Sequence, residues 1–393
     1  MKDKACIILG DSFTFPEGDA ATNRVYTYAK GLVENGVSVH VVCFRNDYVS
    51  YHSGETEGIK YHLPFRQSER SPYFIIRRIN NLAKYFNTLT LFRQLQKDYR
   101  IENIIAYTIR KNTQLFGFIL SRMFRSNLIL ERSEHPFKSY RTRIGEKVSG
   151  SSRVAFEIIF SDYIFCISSY LIDFYRRKGA REGKLFKVPS TVDVTRFNTP
   201  FERKVQYNYI CYSGSLTRQK DGVDILIRSF AGIARDYSDI NLVLVGKADT
   251  MEDEVFFREL VASMDLENRV LFTGKVPRNE IPSYICNAEL LVLARPESIV
   301  ADAGFPSKVS EYLSTGRPVV VTRVGEIPDY LTHNHTAFLA EPGSVDDFAA
   351  NLRLALEDKA FAEKVGLRGL EIAQTVFSYK LQATRILDFL DKK

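Results

Sequence analysis

The chain has 393 residues, 45% apolar and 26% charged. It is too long for one ordinary core and suits two domains, and it holds no low-complexity tract that would resist folding. The formal net charge is +7, unevenly spread, with 17 Lys or Arg against 6 Asp or Glu between Arg66 and Lys147. Cys6, Cys43, Cys166, Cys211 and Cys286 lie far apart, with no CxxC or Cys/His cluster. That spacing argues against a disulfide framework or a zinc site and for reduced, buried thiols. No apolar run approaches the length that spans a bilayer, and no secretory leader is expected ahead of Ala5. The expectation is a cytoplasmic protein, peripheral on a membrane at most.

In chain order, Ala5 to Leu9 reads as a buried strand. Ala20 to Asn35 reads as a helix with Val25, Tyr28, Ala29 and Leu32 on one face, stopped by Gly36. Val37 to Cys43 is the next strand. A long helix is predicted from about Tyr73 to Gln96, then a strand at Asn103 to Tyr107, a helix near Asn112 to Met123 and a strand at Asn127 to Leu130. Ser161 to Ile167 reads as a strand followed by a helix over Tyr170 to Lys178. The pattern breaks between Val188 and Pro200. A second series then begins, with strands at Tyr209 to Tyr212, Ile240 to Val245, Val270 to Thr273, Leu290 to Ala294 and Pro318 to Thr322. Helices lie between them, the first over Gly222 to Arg235, and a last helix runs from Tyr379 to Leu390. Two such alternations predict two doubly wound α/β domains with mostly parallel sheets. The expected division is 1–195, 196–376 and a terminal helix in 377–393 that crosses back to the first domain.

Ligands of such sheets sit beyond the carboxyl ends of the strands, so the loops that follow strands carry the candidates. After the first strand, Gly18 and Asp19 lead into a helix whose free N–H groups favour an anion. There is no GxGxxG, and as a lone glycine turn the segment has a purely structural reading that is the commoner one. In the second series, Gly214-Ser215-Leu216-Thr217-Arg218-Gln219-Lys220 can place a cation and backbone donors on a diphosphate; a solvated surface lysine is the alternative. Ser307, Lys308 and Glu311 share one helix face after Pro306. A carboxylate there can hold ribose hydroxyls while Ser307 and Lys308 meet phosphate, though a surface salt bridge uses the same spacing. The basic stretch 66–147 interleaves Tyr73, Phe74, Tyr85, Phe86, Phe92, Phe116, Phe118 and Phe124. It suits nucleic acid, anionic lipid or a pyrophosphate-linked acceptor, or it is a set of solvated basic helix faces.

Taken in order, these pieces resemble glycosyltransferase family 4, retaining enzymes of the GT-B fold, over nearly the whole chain. Pro16 to Asn23, with Gly31-Leu32 and Asn35-Gly36, is similar to that family's glycine loop and first helix. Lys187-Val188-Pro189-Ser190-Thr191-Val192-Asp193 with Phe197 resembles its "PNGVD…F" segment, and Gly214 to Gly222 its "GRL…KG" loop. Thr273-Gly274-Lys275-Val276 is similar to the turn that receives the nucleobase. Glu311-Tyr312-Leu313 with Gly316-Arg317-Pro318 resembles the second half of the EX7E motif, and Gly325-Glu326-Ile327-Pro328 the turn after it. Leu130-Glu131-Arg132-Ser133-Glu134-His135-Pro136 resembles the segment that presents a histidine to the donor sugar. The chain departs from the family at Ser215, where the family has arginine, and at Ala303, where the first EX7E glutamate is expected. Lys220 with Arg218 then carries more of the phosphate charge, and Asp302, Glu297 or backbone amides meet the sugar hydroxyls.

The resemblance implies two Rossmann-like domains facing each other across a cleft. It implies transfer of a sugar from a nucleoside diphosphate, uridine favoured, to an acceptor hydroxyl with retention. His135, Glu134 and Lys220 take the catalytic roles. Gly18, Asp19, Gly214, Ser215, Arg218, Lys220, Gly274, Val276, Ser307, Lys308 and Glu311 hold the donor. No Asp-x-Asp triplet occurs, so no metal and no cofactor is expected. The acceptor is expected to be a saccharide or lipid-linked saccharide, with peripheral membrane contact through 66–147 and no nucleic acid. A nucleotide-sugar epimerase of the same architecture would use the same grip without an acceptor. A non-catalytic homologue would bind donor without turnover.

Overall fold

The structure, a computed structural model, describes residues 2–137 and 144–392, the side chains of 144–149 excepted. The described residues form two compact units. One comprises 2–137, 144–191 and 379–392, the other 192–378. Lys138, Arg141, Arg143 and Lys147, part of the basic stretch read from sequence, lie outside the described residues or side chains.

The first unit runs β1 (Asp3–Gly10), α1 (Ala20–Glu34), β2 (Ser38–Cys43), β3 (Ser53–Thr56), β4 (Ile59–His62), α2 (Phe74–Asp98) and β5 (Tyr99–Tyr107). It continues through α3 (Lys111–Phe124), β6 (Asn127–Arg132), α4 (Ile144–Ile159), β7 (Tyr163–Cys166), α5 (Ser169–Arg177) and β8 (Leu185–Lys187). The sheet order is β3-β4-β2-β1-β5-β6-β7-β8, parallel throughout except for the β3–β4 hairpin. Central β1 places Ile7 beside His40 of β2 and Ile104 of β5. Its Ile7, Ile8 and Leu9 are wholly buried, as a strand covered on both faces requires. Helix α1 starts where the Asp19 side chain accepts from the Ala21 N–H at 3.1 Å, an N-cap of ordinary kind.

The second unit runs β9 (Asn208–Ser213), α6 (Arg218–Asp221), α7 (Val223–Ala231), β10 (Ile240–Val245), α8 (Met251–Ala262), β11 (Val270–Gly274), α9 (Ile281–Ile285), β12 (Leu290–Leu293), α10 (Ile299–Ala303) and α11 (Ser307–Leu313). It ends with β13 (Val319–Thr322), α12 (Ile327–Tyr330), β14 (Phe338–Ala340), α13 (Val345–Glu357) and α14 (Lys359–Thr375). Its sheet is wholly parallel, in the order β11-β10-β9-β12-β13-β14. That is the dinucleotide-fold order, which reverses between β9 and β12, and a crevice at their carboxyl ends is the expected ligand position. The last helix, α15 (Tyr379–Asp391), belongs to the first unit and packs along α1.

The sequence did not show the β3–β4 hairpin or the short strands β8 and β14, each of three or four residues. It also placed the start of β5 at Asn103 rather than Tyr99, because exposed Arg100 blurs the apolar run. The helix expected over Gly222 to Arg235 is shorter. Gly222 takes a left-handed conformation (φ +64°) that separates α6 from α7, and Gly232 ends α7.

Candidate functional site

Three segments converge at the switch point of the second sheet: the loop after β9, the chain after β12, and α11. Gly222 is held against the end of β12, where a Cβ would overlap the Ala294 carbonyl. Gly214 takes a φ of +148°, which glycine adopts without strain, and the side chain of Lys308 passes directly over it. Lys308 reaches back from α11 to put Nζ 2.7 Å from Asp221 Oδ2, a pair in which the carboxylate is buried and the lysine side chain is 19% exposed. The Tyr212 hydroxyl lies 3.0 Å from the same Oδ2 and 2.6 Å from the Ser215 carbonyl. The Ser213 N–H donates to the Tyr312 hydroxyl at 2.7 Å, which ties α11 to the end of β9. Burial alone would raise the Asp221 carboxyl, but the Lys308 ammonium holds it below its ordinary value. Burial lowers Lys308, opposed by Asp221 and reinforced by the nearby charges of Lys220 and Arg295. The result is a sheltered cation with a matched counter-ion, next to a glycine turn whose backbone a phosphate can approach.

The other predicted residues fall into place around this centre. Ser215 and Lys220 are exposed on the loop and on α6. The Arg218 guanidinium turns to α8, bonding Glu252 at 2.8 Å and Asp253 at 2.7 Å and lying over Phe256. Ser307 is the first residue of α11, and Glu311, one turn on, pairs loosely with Arg196 at 3.5 Å. Gly274 ends β11 in a left-handed conformation (φ +70°) with open space beside it, followed by half-buried Val276. Ala303 is buried in α10, whereas Asp302 is half-buried and Glu297 exposed. Phe305 is fixed by Tyr330 and Phe377, with ring centroids 5.5 and 4.9 Å away, and this anchors the turn into α11.

In the first unit, Gly18 is exposed and packed against Thr14 and Thr22, where a Cβ has no room. Asp19 serves as the helix cap described above. His135 is buried between Phe137, Tyr170 and Phe174. Its Nδ1 lies 3.0 Å from the Phe137 N–H and 3.1 Å from the Phe137 carbonyl oxygen, so the backbone of Phe137 holds that edge of the ring. Burial lowers its pKa, which favours the neutral ring. Glu134 is exposed. The same unit holds a buried network absent from the sequence reading. Arg24 of α1 bonds Glu131 Oε1 at 2.6 Å and the carbonyls of Val188 and Pro189 at 2.7 and 2.8 Å. Sequence reasoning missed Asp221, Arg196 and Arg295 as members of the second unit's site. Only for Asp221 was there a signal, its place directly after Lys220.

Among the described residues, no group of three or more His, Cys, Asp or Glu is gathered to hold a metal ion. The five cysteines are free thiols, four of them buried.

Two Rossmann-like α/β units of this order are the GT-B fold, and solved structures share it along the whole chain. HepE of Anabaena, solved in complex with UDP-glucose, matches with a TM-score of 0.71 and 16% identity, covering 99% of this chain and all of that one. Sucrose-phosphate synthase from Thermosynechococcus elongatus matches with a TM-score of 0.72 and 17% identity, covering 100% of this chain and 99% of that one. Residues 194–371 match the family described as "Glycosyl transferases group 1". That match lies within the second unit and covers less than half of the chain. A GDP-mannose-dependent alpha-(1-6)-phosphatidylinositol monomannoside mannosyltransferase of Mycobacterium tuberculosis is 25% identical over 242 residues, 58% of this chain and 62% of that protein. The match thus spans less than two thirds of that relative's length.

Proposed function

We propose that the protein is a retaining glycosyltransferase that moves a sugar from a nucleoside diphosphate, UDP favoured, to an acceptor hydroxyl. The observation that carries this reading is the Lys308–Asp221 pair over Gly214 at the switch point of the second sheet. As the donor's glycosidic bond breaks, negative charge builds on the β-phosphate. A preorganised, sheltered cation opposes that charge more effectively than water would. Lys308 supplies it, Lys220 adds a second positive charge from the loop, and the Gly214–Ser215 backbone lets the phosphates come close. Arg218, engaged by Glu252 and Asp253, is left out of this role. Glu311 accepts from ribose hydroxyls, and the backbone of Gly274 to Val276 receives the base. His135, kept neutral by burial, hydrogen-bonds a hydroxyl of the transferred sugar. These cations take the place of a divalent metal, so turnover should survive EDTA.

The chain's similarity to a structure solved with UDP-glucose favours uridine, whereas the mycobacterial relative is named for GDP-mannose. A thermal-shift screen with UDP-, GDP- and ADP-sugars separates them: the UDP-sugar should raise the melting temperature and the others should not. Glu311→Ala should abolish that rise. Lack of stabilisation by every nucleotide sugar would sink the reading. The acceptor is read as a saccharide or lipid-linked saccharide in surface polysaccharide or glycolipid biosynthesis, presented at a membrane face to the first unit. Radiolabelled donor should pass its sugar to a lipid extract and not to water alone.

A further inference from the structure

Strand β6 ends on two consecutive charges, Glu131 and Arg132. Successive strand residues point to opposite faces of a sheet, so the two side chains leave β6 in opposite directions. Each meets an opposite charge inside the first unit. Glu131 pairs with Arg24 of α1 at 2.6 Å, and Arg132 with Glu157 of α4 at 3.0 Å. No side chain of the four is more than 7% exposed. Further bonds complete both pairs. The Tyr28 hydroxyl donates to Glu131 Oε2 at 3.0 Å, and the Ser133 hydroxyl to Oε1 at 3.1 Å. The Tyr175 hydroxyl donates to Glu157 at 2.5 Å, and the Arg132 guanidinium to the Thr108 carbonyl at 2.9 Å. Buried ion pairs add little stability over apolar side chains of the same volume, so two in succession at one strand end point to a role in placement.

What they place is the segment that follows. Ser133 is the next residue, and it stands two before His135. Its Oγ is 3.1 Å from the Tyr107 hydroxyl at the end of β5, as well as from Glu131. Further on, His135 is held by the Phe137 backbone and by the ring of Phe174 on α5, with centroids 4.7 Å apart. The segment thus has a polar anchor on the sheet and an apolar anchor on α5. We infer that the buried pairs on Glu131 and Arg132, acting through Ser133, set the position of the His135 ring. Arg24, Glu131, Ser133 and Tyr107 are then positioning residues. The inference rests on the role given to His135 in the transferase reading above.

The test compares Ser133→Ala/Tyr107→Phe, which removes the two anchoring hydroxyls at nearly constant volume, with Ser133→Thr and with His135→Ala. The donor is whichever of UDP-glucose, UDP-galactose and UDP-N-acetylglucosamine raises the melting temperature most, and transfer is read as radiolabel passed to a lipid extract. The double variant should lower kcat by about tenfold and quicken hydrogen exchange of the amides in 133–137. Its Kd for UDP alone should stay at the wild-type value, because the second unit grips the nucleotide. Ser133→Thr keeps a hydroxyl and should keep most of the rate. Placed on His135→Ala, the double variant should cost nothing further, since its effect runs through that ring. Arg24→Met/Glu131→Leu, an apolar exchange of the ion pair, should lower kcat in the same way. A full rate in Ser133→Ala/Tyr107→Phe beside a slow His135→Ala overturns the inference and leaves the transferase reading standing. A full rate in His135→Ala, or no transfer by wild type from any of the three donors, removes the role of His135 and the inference with it.

Discussion

Lys308 shows how a single contact can serve both fold and site. Replacing it with alanine removes the phosphate cation and leaves Asp221 buried without its counter-ion. Donor binding should weaken by about 10- to 100-fold, and stability should fall by about 3 kcal/mol. The double variant Lys308→Ala/Asp221→Asn should recover most of the melting temperature and none of the binding. A double variant that also binds donor would remove Lys308 from the site; calorimetry and thermal unfolding read the two effects separately. A second residue pair governs pH dependence. His40 and His62 are stacked, with Nδ1 and Nε2 3.0 Å apart, and burial lowers both to about 4. The native rings therefore bind fewer protons than the unfolded ones, whose ordinary value is near 6.5. Their stability contribution is complete above pH 6.5 and is lost as pH falls toward 4. Between pH 7.5 and 5.5 the loss should be about 1 kcal/mol per ring. Urea unfolding at the two pH values measures it, and His40→Gln/His62→Gln should flatten the difference.

Among the elements, α11 is placed by contacts at both ends rather than by its own propensity. Seven residues make a marginal helix alone. The Tyr312 hydroxyl on β9 and the packing of Phe305 on Phe377 hold it where Lys308 meets Asp221. The crossing of α1 and α15 depends in a similar way on one glycine. A Cβ on Gly31 would stand 2.6 Å from Ala383 Cβ and 2.9 Å from the Tyr379 carbonyl oxygen. Gly31→Val must push α15 off α1 and loosen the stack of Phe389 on Phe186, whose centroids are 4.4 Å apart. The expected cost is about 2 kcal/mol, seen as a lower urea midpoint. An unchanged midpoint would show that the two helices separate without penalty.

For the whole molecule, two units with separate cores predict two unfolding transitions rather than one. A nucleotide sugar gripped chiefly by the second unit should raise that unit's transition the more, by about 2.7 kcal/mol at a hundredfold excess over Kd. Calorimetry distinguishes this from a single shifted peak, which would mean the units unfold together. Fold class was legible from the sequence because alternating strand and helix signals are local. Strand runs such as Ile240–Val245 and glycine turns such as Gly214 are written in neighbouring residues. Partners were not legible. Lys308 finds Asp221 across 87 positions, Tyr312 finds Ser213 across 99, and Glu311 finds Arg196 across 115. Arg218 meets Asp253 across 35 positions and Glu252 across 34. Helix α2 is the plainest case. Its sequence shows two candidate faces, and only packing decides that Thr88 and Phe92 turn inward while Ile79 and Phe86 face out. The sequence by itself determined the elements, their order and the glycine loops, since these follow from short-range backbone preferences. The tertiary structure alone decided which charges are paired and which apolar faces remain open, because both depend on a strand order that brings distant segments together.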